Sequence, residues 1–538
     1  MKLIKSFLAL SLVATTLYNC GSVAPILSTP IENIDKTPLK VSELTEAEKQ
    51  TWGHLDLIKD TIPGMSVDKA YDEILKNKKG QTTIIAVIDS GIDIDHEDLS
   101  GNIWKNPKEI ANNGKDDDNN GYVDDIYGWN FLGTAYDEQL EYVRLLATGN
   151  TSHPRYAEAQ AEYTKEFEKY SGLKTNYEQI AQQIKIADEA LTKHFKKKDY
   201  TKAEVNTISK DNKSLEQSVA IAKYIYSLDF DSLSKAYEDI NGDLTQITER
   251  LNFHLNKSFK GRTTGDNIDD INDKKYGNNN VKPVKKDESH GTHVAGIIAA
   301  TRNNGKGANG VANNVKIMSL RAVPNGDEYD KDVALAIRYA ADNGARVINT
   351  SFGKYYSPHS DWVRDAIAYA AQKDVLIVNA AGNEGADLDK KDVYPNDAVG
   401  VGAEVSDNFI SVGSLDPKYG SEVVSNFSNY GKINVDIFAP GGKIYSTFPE
   451  NDYETIGGTS MASPAVAGIA ALIRSQYPQL KASQVKQIII DSGLPLTNKV
   501  VVGGDASNVK PFQDLSKSGK IANAYNALIL AAEVAKNL

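Results

Sequence analysis

Four short motifs contain side chains whose types could cooperate in nucleophilic catalysis. They supply a carboxylate (Asp89), an imidazole (His290), a hydroxyl (Ser460) and a side-chain amide (Asn383). A serine hydroxyl becomes a strong nucleophile when a neighbouring histidine takes its proton and a third group orients that histidine. An amide that donates a hydrogen bond can stabilise the oxyanion formed when a carbonyl is attacked. These residue types therefore fit acyl transfer through a serine.

Each motif on its own is a weak signal. An aspartate at the end of a strand, such as Asp89, often only caps a turn. Asn383 could likewise belong to an ordinary asparagine-containing turn without a catalytic role. A serine at the start of a helix is far more often an N-cap than a nucleophile. Ser460 follows a Gly-Gly-Thr turn and precedes an apolar helix. The first amides of such a helix, together with its dipole, favour developing negative charge.

A second histidine, His293, follows His290 and raises the alternative of a metal site. Zinc-binding helices of metalloproteases place two histidines four residues apart, with a glutamate next to the first. That arrangement is absent from the Ser-His-Gly-Thr-His sequence. A catalytic base at the start of a helix fits this motif better.

The elements that must position these side chains are predicted from short apolar runs. Continuous rather than alternating apolar character is typical of strands buried on both faces of a parallel sheet. Helix-periodic stretches, such as 331–343 and 361–373, separate these runs. The alternation predicts an α/β fold with a doubly wound, mostly parallel sheet and helices on both faces. The predicted strands lie at residues 82–88, 315–320, 346–349, 375–379, 409–412 and 435–438.

Residues 134–286, called the helical segment below, break this alternation. They are polar, rich in Lys, Glu and Tyr, and poor in Gly. Apolar side chains spaced mostly by three, four or seven predict an amphipathic helical seam, which is usually core, although it could be a substrate-binding surface. We interpret the segment as a helical insertion that gates access, binds a partner or only decorates the surface. The seam comprises Tyr156, Tyr163, Phe167, Tyr170, Tyr177, Ile180, Ile184, Ala187, Leu191 and Phe195.

Taken together, the four motifs resemble those of the subtilase family. Asp-Ser-Gly, His-Gly-Thr-His-Val-Ala-Gly, Ala-Gly-Asn-Glu-Gly and Gly-Thr-Ser-Met-Ala-Ser-Pro stand in that family's order. The order Asp, His, Ser differs from that of trypsin-like and α/β-hydrolase enzymes. The resemblance covers about residues 51–133 and 287–538 and implies a subtilisin-like peptidase domain. Residues 134–286 interrupt it and stretch the Asp-to-His separation to about 200 residues.

The resemblance implies a serine endopeptidase that needs no cofactor for its chemistry. Ser460 would attack the scissile carbonyl, His290 would move the proton, and Asp89 would hold the histidine tautomer. Asn383, with the Ser460 amide, would stabilise the tetrahedral oxyanion.

The resemblance also implies how substrates bind. Ser351, Phe352 and Gly353 resemble the family's edge segment, which pairs with the backbone of an extended protein or peptide substrate. Main-chain pairing of this kind tolerates many substrate sequences.

Two other functions stay open from the sequence. A lipoprotein whose peptidase part is an inactive scaffold would usually show a substituted catalytic residue, and we see none. An esterase of the α/β-hydrolase type would need a Gly-x-Ser-x-Gly elbow, which is missing at Ser460.

An acidic loop raises the hypothesis of a structural Ca²⁺ ion. Asp116, Asp118, Asn120 and Asp124 match the early spacing of an EF-hand loop, but Tyr127 occupies the place of the final bidentate glutamate. The alternative is a solvated acidic turn.

The N-terminus predicts export and lipid anchoring. Lys2 and Lys5 precede a short apolar stretch, residues 7–14, which suits a secretory signal and is too short for a comfortable membrane span. Cys20, the single cysteine, lies just past this apolar stretch, and its position resembles a bacterial lipoprotein cleavage site. We therefore predict a signal peptide at 1–20, lipidation of Cys20, a polar tether at 21–50 and attachment to a bacterial envelope membrane. The alternative is an ordinary signal peptide with an incidental cysteine.

Composition narrows the remaining classes. Of 538 residues, 41% are hydrophobic, so a sizeable core is expected. The formal net charge is −12, which disfavours general nucleic-acid binding.

About thirty residues separate Cys20 from the family-like stretch 52–71, too few for the folded pro-domain of many subtilases, so we expect no large N-terminal autoprocessing.

Overall fold

The computed structural model describes residue 40 and residues 42–538. The predicted signal peptide, the predicted lipidation site Cys20 and most of the predicted tether lie outside these residues. None of the described helices is both long and apolar enough to cross a bilayer.

The described chain alternates strands and helices on both sides of the helical segment. The helices are α1 (Glu46–Thr51), α2 (Leu57–Asp60), α3 (Val67–Ala70), α4 (Glu141–Ala147), α5 (Tyr156–Phe195), α6 (Lys202–Thr207), α7 (Glu216–Ser227), α8 (Leu233–Glu249), α9 (His290–Ala299), α10 (Asp330–Asp342), α11 (Ser360–Gln372), α12 (Thr459–Gln476), α13 (Ala482–Ser492) and α14 (Ala524–Lys536). The strands are β1 (Thr83–Asp89), β2 (Gly128–Asn130), β3 (Val315–Arg321), β4 (Val347–Thr350), β5 (Leu376–Ala380), β6 (Phe409–Leu415), β7 (Ile437–Pro440), β8 (Ile444–Phe448), β9 (Asp452–Ile456), β10 (Leu494–Pro495), β11 (Lys499–Val502), β12 (Asp505–Pro511) and β13 (Lys520–Ile521).

Within residues 42–538, nine strands form the central sheet in the order β10-β13-β7-β6-β5-β4-β1-β3-β2. All neighbours pair in parallel except β10 with β13, which pair antiparallel. The six predicted strands are all present in this sheet, with ends shifted by up to three residues. The prediction of a mostly parallel α/β sheet is therefore confirmed.

Both faces of the sheet are covered, as the continuous apolar runs require. Successive residues of β1 alternate between two cores: Ile85 and Val87 pack into one, and Ala86 and Ile88 into the other. The first core includes apolar residues of α9, α12, α13 and α14, and the second those of α10 and α11. Strands with helices on both faces need apolar side chains at every position, which explains why alternation is missing from the sequence.

The register of the sheet brings its candidate functional residues to one edge. Asp89 is the last residue of β1 and lies beside Arg321, the last residue of β3. In the next strands along the sheet, Thr350 of β4 pairs with Asn379 of β5. Segments that follow β1, β4 and β5 therefore leave the sheet together at its carboxyl edge, where open α/β sheets bind ligands.

The helical segment has a small core of its own. Helix α5 is 40 residues long and packs against α7 and α8. In the seam predicted from the sequence, Ile184, Ala187 and Leu191 are buried, which confirms the core interpretation for that half of α5. Phe167 and Ile180 are 40% and 38% exposed, so the other half of the seam is only partly covered.

Buried ion pairs connect the helical segment to α10. The Arg262 guanidinium donates two hydrogen bonds to the Asp332 carboxylate, at 2.7 and 2.9 Å. Tyr276 Oη donates a third at 2.6 Å, and Asp332 is fully buried. The ammonium of Lys331, which is also fully buried, lies 2.6 Å from Asp266. A buried charge is tolerated only where such partners replace water.

Replacing Asp332 with Asn should destabilise the fold strongly, because Arg262 would lose its buried counter-charge. We expect a loss of about 3–5 kcal/mol in the free energy of unfolding. Asp239→Asn is the matched control, since Asp239 pairs with Lys235 on the exposed face of α8. It should leave the denaturant midpoint unchanged. Equal midpoints for Asp332→Asn and the control would show that the buried network adds nothing to stability.

Candidate active site

The carboxylate of Asp89 and the ring of His290 form a direct pair. Asp89 Oδ1 lies 2.7 Å from His290 Nδ1 and also accepts a hydrogen bond from the Ser90 amide at 2.8 Å. Asp89 is 1% exposed, whereas the His290 side chain is 36% exposed. The aspartate is thus enclosed by protein while the ring it orients remains open to a ligand.

The start of α9 approaches the end of β1 so closely that only glycine fits at residue 291. A Cβ on Gly291 would lie 2.3 Å from the carbonyl oxygen of Gly91 and 3.2 Å from the Asp89 Cβ. The Gly291 amide donates to Ser90 Oγ at 3.2 Å. The Gly after the histidine in the motif therefore allows His290 to reach Asp89.

A buried ion pair that no sequence motif indicated holds the segments that carry Asp89 and His290. Arg321 and Glu288 are buried and make a short hydrogen-bonded contact. Arg321 Nε also donates to the carbonyl of Ser90 at 3.0 Å. Ser90 directly follows Asp89, and Glu288 precedes His290 by two residues. Arg321 therefore links the two segments that carry the pair.

The electrostatic surroundings distinguish the two histidines. Burial lowers the pKa of His290, but the charge of Asp89 and its hydrogen bond raise it by more, so the pKa lies above its ordinary value. Burial lowers the pKa of His293 to about 4. The His293 Nε2 atom lies 3.1 Å from the carbonyl of Ile444 and 3.2 Å from that of Glu454. The His293 ring therefore links α9 to both strands of the β8–β9 hairpin.

Ser460 is the second residue of α12, which packs against α9. Its Oγ donates a hydrogen bond to the carbonyl of Ser351 at 3.0 Å, and Ser351 Oγ donates to the carbonyl of Ser460 at 2.8 Å. In the described chain the Ser460 hydroxyl is thus bonded to the segment after β4 and not to His290. Ser351 Oγ itself accepts from Asn349 Nδ2 at 2.9 Å, so the serine pair is fixed to the sheet.

Asn383 lies beside the start of α12 with its amide nitrogen available. Its Oδ1 accepts hydrogen bonds from the Thr459 amide and the Thr459 hydroxyl, both at 2.9 Å. The carbonyl side is therefore fixed, and Nδ2 points away from these donors. Gly382 has a φ of +102°, and a Cβ there would lie 2.4 Å from Asn429 Nδ2, so glycine is required before Asn383.

A cavity of about 140 Å³ opens between Ser460 and Asn383. Phe352, Gly353 and Tyr355 also line it. Ser351 is buried, whereas Gly353 is exposed. Within the described residues, the main-chain groups of Phe352 and Gly353 make no backbone hydrogen bond. This segment therefore has free main-chain donors and acceptors next to the Ser460 hydroxyl.

The acidic loop brings together only part of the predicted calcium set. Carboxylate oxygens of Glu109, Asp116 and Asp118 lie within 4.8 Å of one another. Glu109 Oε2 is a buried oxygen without a hydrogen-bond partner. Asp124 instead accepts the amides of Asn113 and Gly114 at 3.0 and 2.9 Å.

The Asn120 side chain likewise forms hydrogen bonds within the acidic loop. Its Oδ1 accepts from the Tyr122 amide at 2.8 Å, and its Nδ2 donates to Asp125 at 2.8 Å. Sequence reasoning missed Glu109, because this residue precedes the stretch whose spacing was compared with an EF-hand.

Comparison with known proteins agrees with this geometry. The profile of the Subtilase family (Peptidase_S8) matches residues 80–509. A thermophilic serine proteinase of Bacillus sp. (strain AK1) is 44% identical over 189 residues, which is 35% of this chain and 43% of that protein. Subtilisin DY of Bacillus licheniformis is 36% identical over 223 residues, 41% of this chain and 76% of that protein.

Thermitase of Thermoactinomyces vulgaris is 40% identical over 189 residues, 35% of this chain and 61% of that protein. The chain thus spans less than two thirds of the length of two of these three relatives. The family match nevertheless covers most of the chain and includes all four candidate residues. On this evidence the chain belongs to the Subtilase family.

Proposed function

We propose that this protein is a serine endopeptidase of the subtilisin type. One observation carries the proposal: a buried carboxylate, Asp89, orients a half-buried imidazole, His290, at the sheet edge where Ser460 and Asn383 line one cavity. Membership of the Subtilase family supports the same activity.

In the proposed first step, His290 acts as the general base. The Ser460 hydroxyl leaves the Ser351 carbonyl by rotation about its side-chain torsion and passes its proton to His290 Nε2 as Oγ attacks the scissile carbonyl. Hydrogen bonds between catalytic groups are often long or poorly aligned before substrate binds, and they tighten in the complex. Asp89 keeps the Nδ1 proton of His290 in place and stabilises the imidazolium that forms.

The negative oxygen of the tetrahedral intermediate would be bound by Asn383 Nδ2 and the Ser460 amide. The amide lies in the first turn of α12, where the helix dipole also favours negative charge. His290 then donates its proton to the leaving amine, and an acyl-enzyme on Ser460 remains. A water molecule, deprotonated by His290, hydrolyses this ester and restores the hydroxyl.

We propose that protein or peptide substrates bind in an extended conformation along residues 351–353. The free main-chain groups of Phe352 and Gly353 support this, because an extended peptide can form hydrogen bonds with them as an added strand. The side chain of the residue whose carbonyl is attacked would enter the cavity beside Ser460 and Asn383.

We further propose the architecture and the location predicted from the sequence. The peptidase domain comprises 51–133 and 287–538, and 134–286 is an insertion, which the separate core of α5, α7 and α8 supports. The signal-like residues 1–20 and Cys20 support export and attachment to an envelope membrane by an N-terminal lipid.

A structural calcium ion is proposed at Glu109, Asp116 and Asp118. Carboxylates are the hard oxygen ligands that Ca²⁺ prefers, and the buried, unpartnered Glu109 Oε2 fits such an ion. It would hold the acidic loop and has no part in the chemistry.

Replacing Ser460 with Ala should abolish cleavage of denatured casein by the protein without its predicted signal peptide, residues 1–20. The nucleophile is lost, while α12 and its packing remain. Ser475→Ala, in the last turn of the same helix, is the control and should cleave at the wild-type rate. Casein cleavage by Ser460→Ala at the wild-type rate would contradict the proposed nucleophile.

The pH dependence of kcat/KM should report the His290–Asp89 pair. Activity requires neutral His290, and its raised pKa places the acid limb above the pH expected of an ordinary imidazole. Asp89→Asn removes the charge that raises this pKa, so the limb should move to lower pH. The turnover number should also fall about 10⁴-fold. An acid limb that stays in place in Asp89→Asn would exclude His290 as the titrating group.

Calcium should raise the melting temperature, and a chelator should lower it. A ligand at a thousand times its Kd stabilises the folded state by about 4 kcal/mol. Glu109→Gln should abolish the calcium effect. Asp117→Asn is the control, because Asp117 contacts the amide of Ile110 and lies outside the carboxylate group. No calcium-dependent shift in the wild type would end this proposal.

A further inference from the structure

The helical segment contacts the cleft directly, through the three residues that follow the proposed substrate edge. Lys354, Tyr355 and Tyr356 come immediately after Gly353, and each is bonded to a residue of the helical segment.

Lys354 is fixed by a buried group of acids. Its ammonium is 1% exposed and lies 2.8 Å from Glu141 Oε2 of α4 and 3.0 Å from Asp330 Oδ1 of α10. Its main chain pairs with that of Tyr394 through two hydrogen bonds of 2.9 Å. Arg144 binds the same Glu141 at 2.5 Å. The end of the edge segment is therefore anchored to α4.

Arg155, at the start of α5, fixes the next two residues. Its Nη1 donates to the carbonyl of Tyr355 at 2.8 Å. Its guanidinium carbon lies 3.7 Å from the centre of the Tyr356 ring, in the geometry of a cation–π contact. Glu158 holds the other side of the guanidinium through two hydrogen bonds of 2.9 Å, which presets its orientation.

Tyr355 in turn connects this contact to the oxyanion residue. Tyr355 lines the cavity beside Ser460, and its hydroxyl makes a short hydrogen bond to Glu384. The same Glu384 oxygen accepts a hydrogen bond from the backbone N–H of Asn383 at 2.9 Å. Arg155, Tyr355, Glu384 and Asn383 thus form one continuous set of contacts from α5 to the cleft.

We propose that the helical segment positions the wall of the substrate cavity, and that Arg155 is its positioning residue. This inference rests on the proposed peptidase function. Arg155 touches neither substrate nor Ser460; it holds Tyr355, and Tyr355 contacts the substrate side chain that enters the cavity. The helical segment therefore influences which substrate side chains the cavity accepts.

The test compares two peptide anilides that differ only in the residue before the cleaved bond, phenylalanine or alanine. A phenylalanine side chain reaches Tyr355, and an alanine methyl does not. Arg155→Met should lower kcat/KM for the phenylalanine substrate about fivefold relative to the alanine substrate, the effect of one lost hydrogen bond. Arg155→Lys keeps a donor for the Tyr355 carbonyl and should recover part of the ratio.

Lys169→Met is the matched control. Lys169 is an exposed cation of the same helix, paired with Glu166 at 3.5 Å and remote from the edge segment. A general loss of stability would lower the active fraction and both rates together, leaving the ratio unchanged. If Arg155→Met melts below the assay temperature, Arg155→Lys carries the test.

The two possible failures are distinguishable. If the wild type cleaves neither anilide, the peptidase proposal fails. If the wild type cleaves both and Arg155→Met keeps the phenylalanine-to-alanine ratio of Lys169→Met, the positioning role of Arg155 is wrong and the peptidase proposal stands.

Discussion

The buried carboxylate of Asp89 is the constraint on which the site depends. A charge removed from water is costly unless protein groups replace its hydration, and here the His290 ring and the Ser90 amide do so at Oδ1, while Oδ2 is buried without a hydrogen-bond partner. The amides of Ala322 and Val323 both donate to the Asp89 carbonyl, so the backbone of the residue is fixed as well. The ring is thereby oriented before any substrate arrives, and its pKa is raised by the same charge that orients it.

Buried ion pairs extend this arrangement outward from the site. Arg321 and Glu288 join the segments that carry Asp89 and His290. Lys354 and Glu141 join the proposed substrate edge to α4. Breaking such a pair leaves an uncompensated buried charge, so the helical segment is difficult to lose or displace without affecting the cleft. Asp89 and His290 are far apart in the chain, and these buried ion pairs hold the segments around them in place.

The elements were predictable from the sequence because each strand lies in a continuous apolar run, and parallel strands buried on both faces produce that pattern. The candidates Asp89, His290, Ser460 and Asn383 were predictable because each lies in a short local motif. Arg321 was not, since its partners Ser90 and Glu288 are distant in the chain and only the fold brings them together. Glu109 was not, because it precedes the loop whose spacing resembles an EF-hand. The short strand β2 and the hairpin β8–β9 carry no continuous apolar run and were also missed.

Covalent labelling can show whether Asp89 and His290 activate Ser460. A fluorophosphonate probe would be added to the folded protein, and the modified residue identified by peptide mass spectrometry. We expect modification at Ser460 alone, and its loss when His290 is replaced with Ala, although the serine is still present. Labelling of Ser460 at the same rate without His290, or no labelling of the folded wild type, would show that the Asp89–His290 pair does not activate this serine.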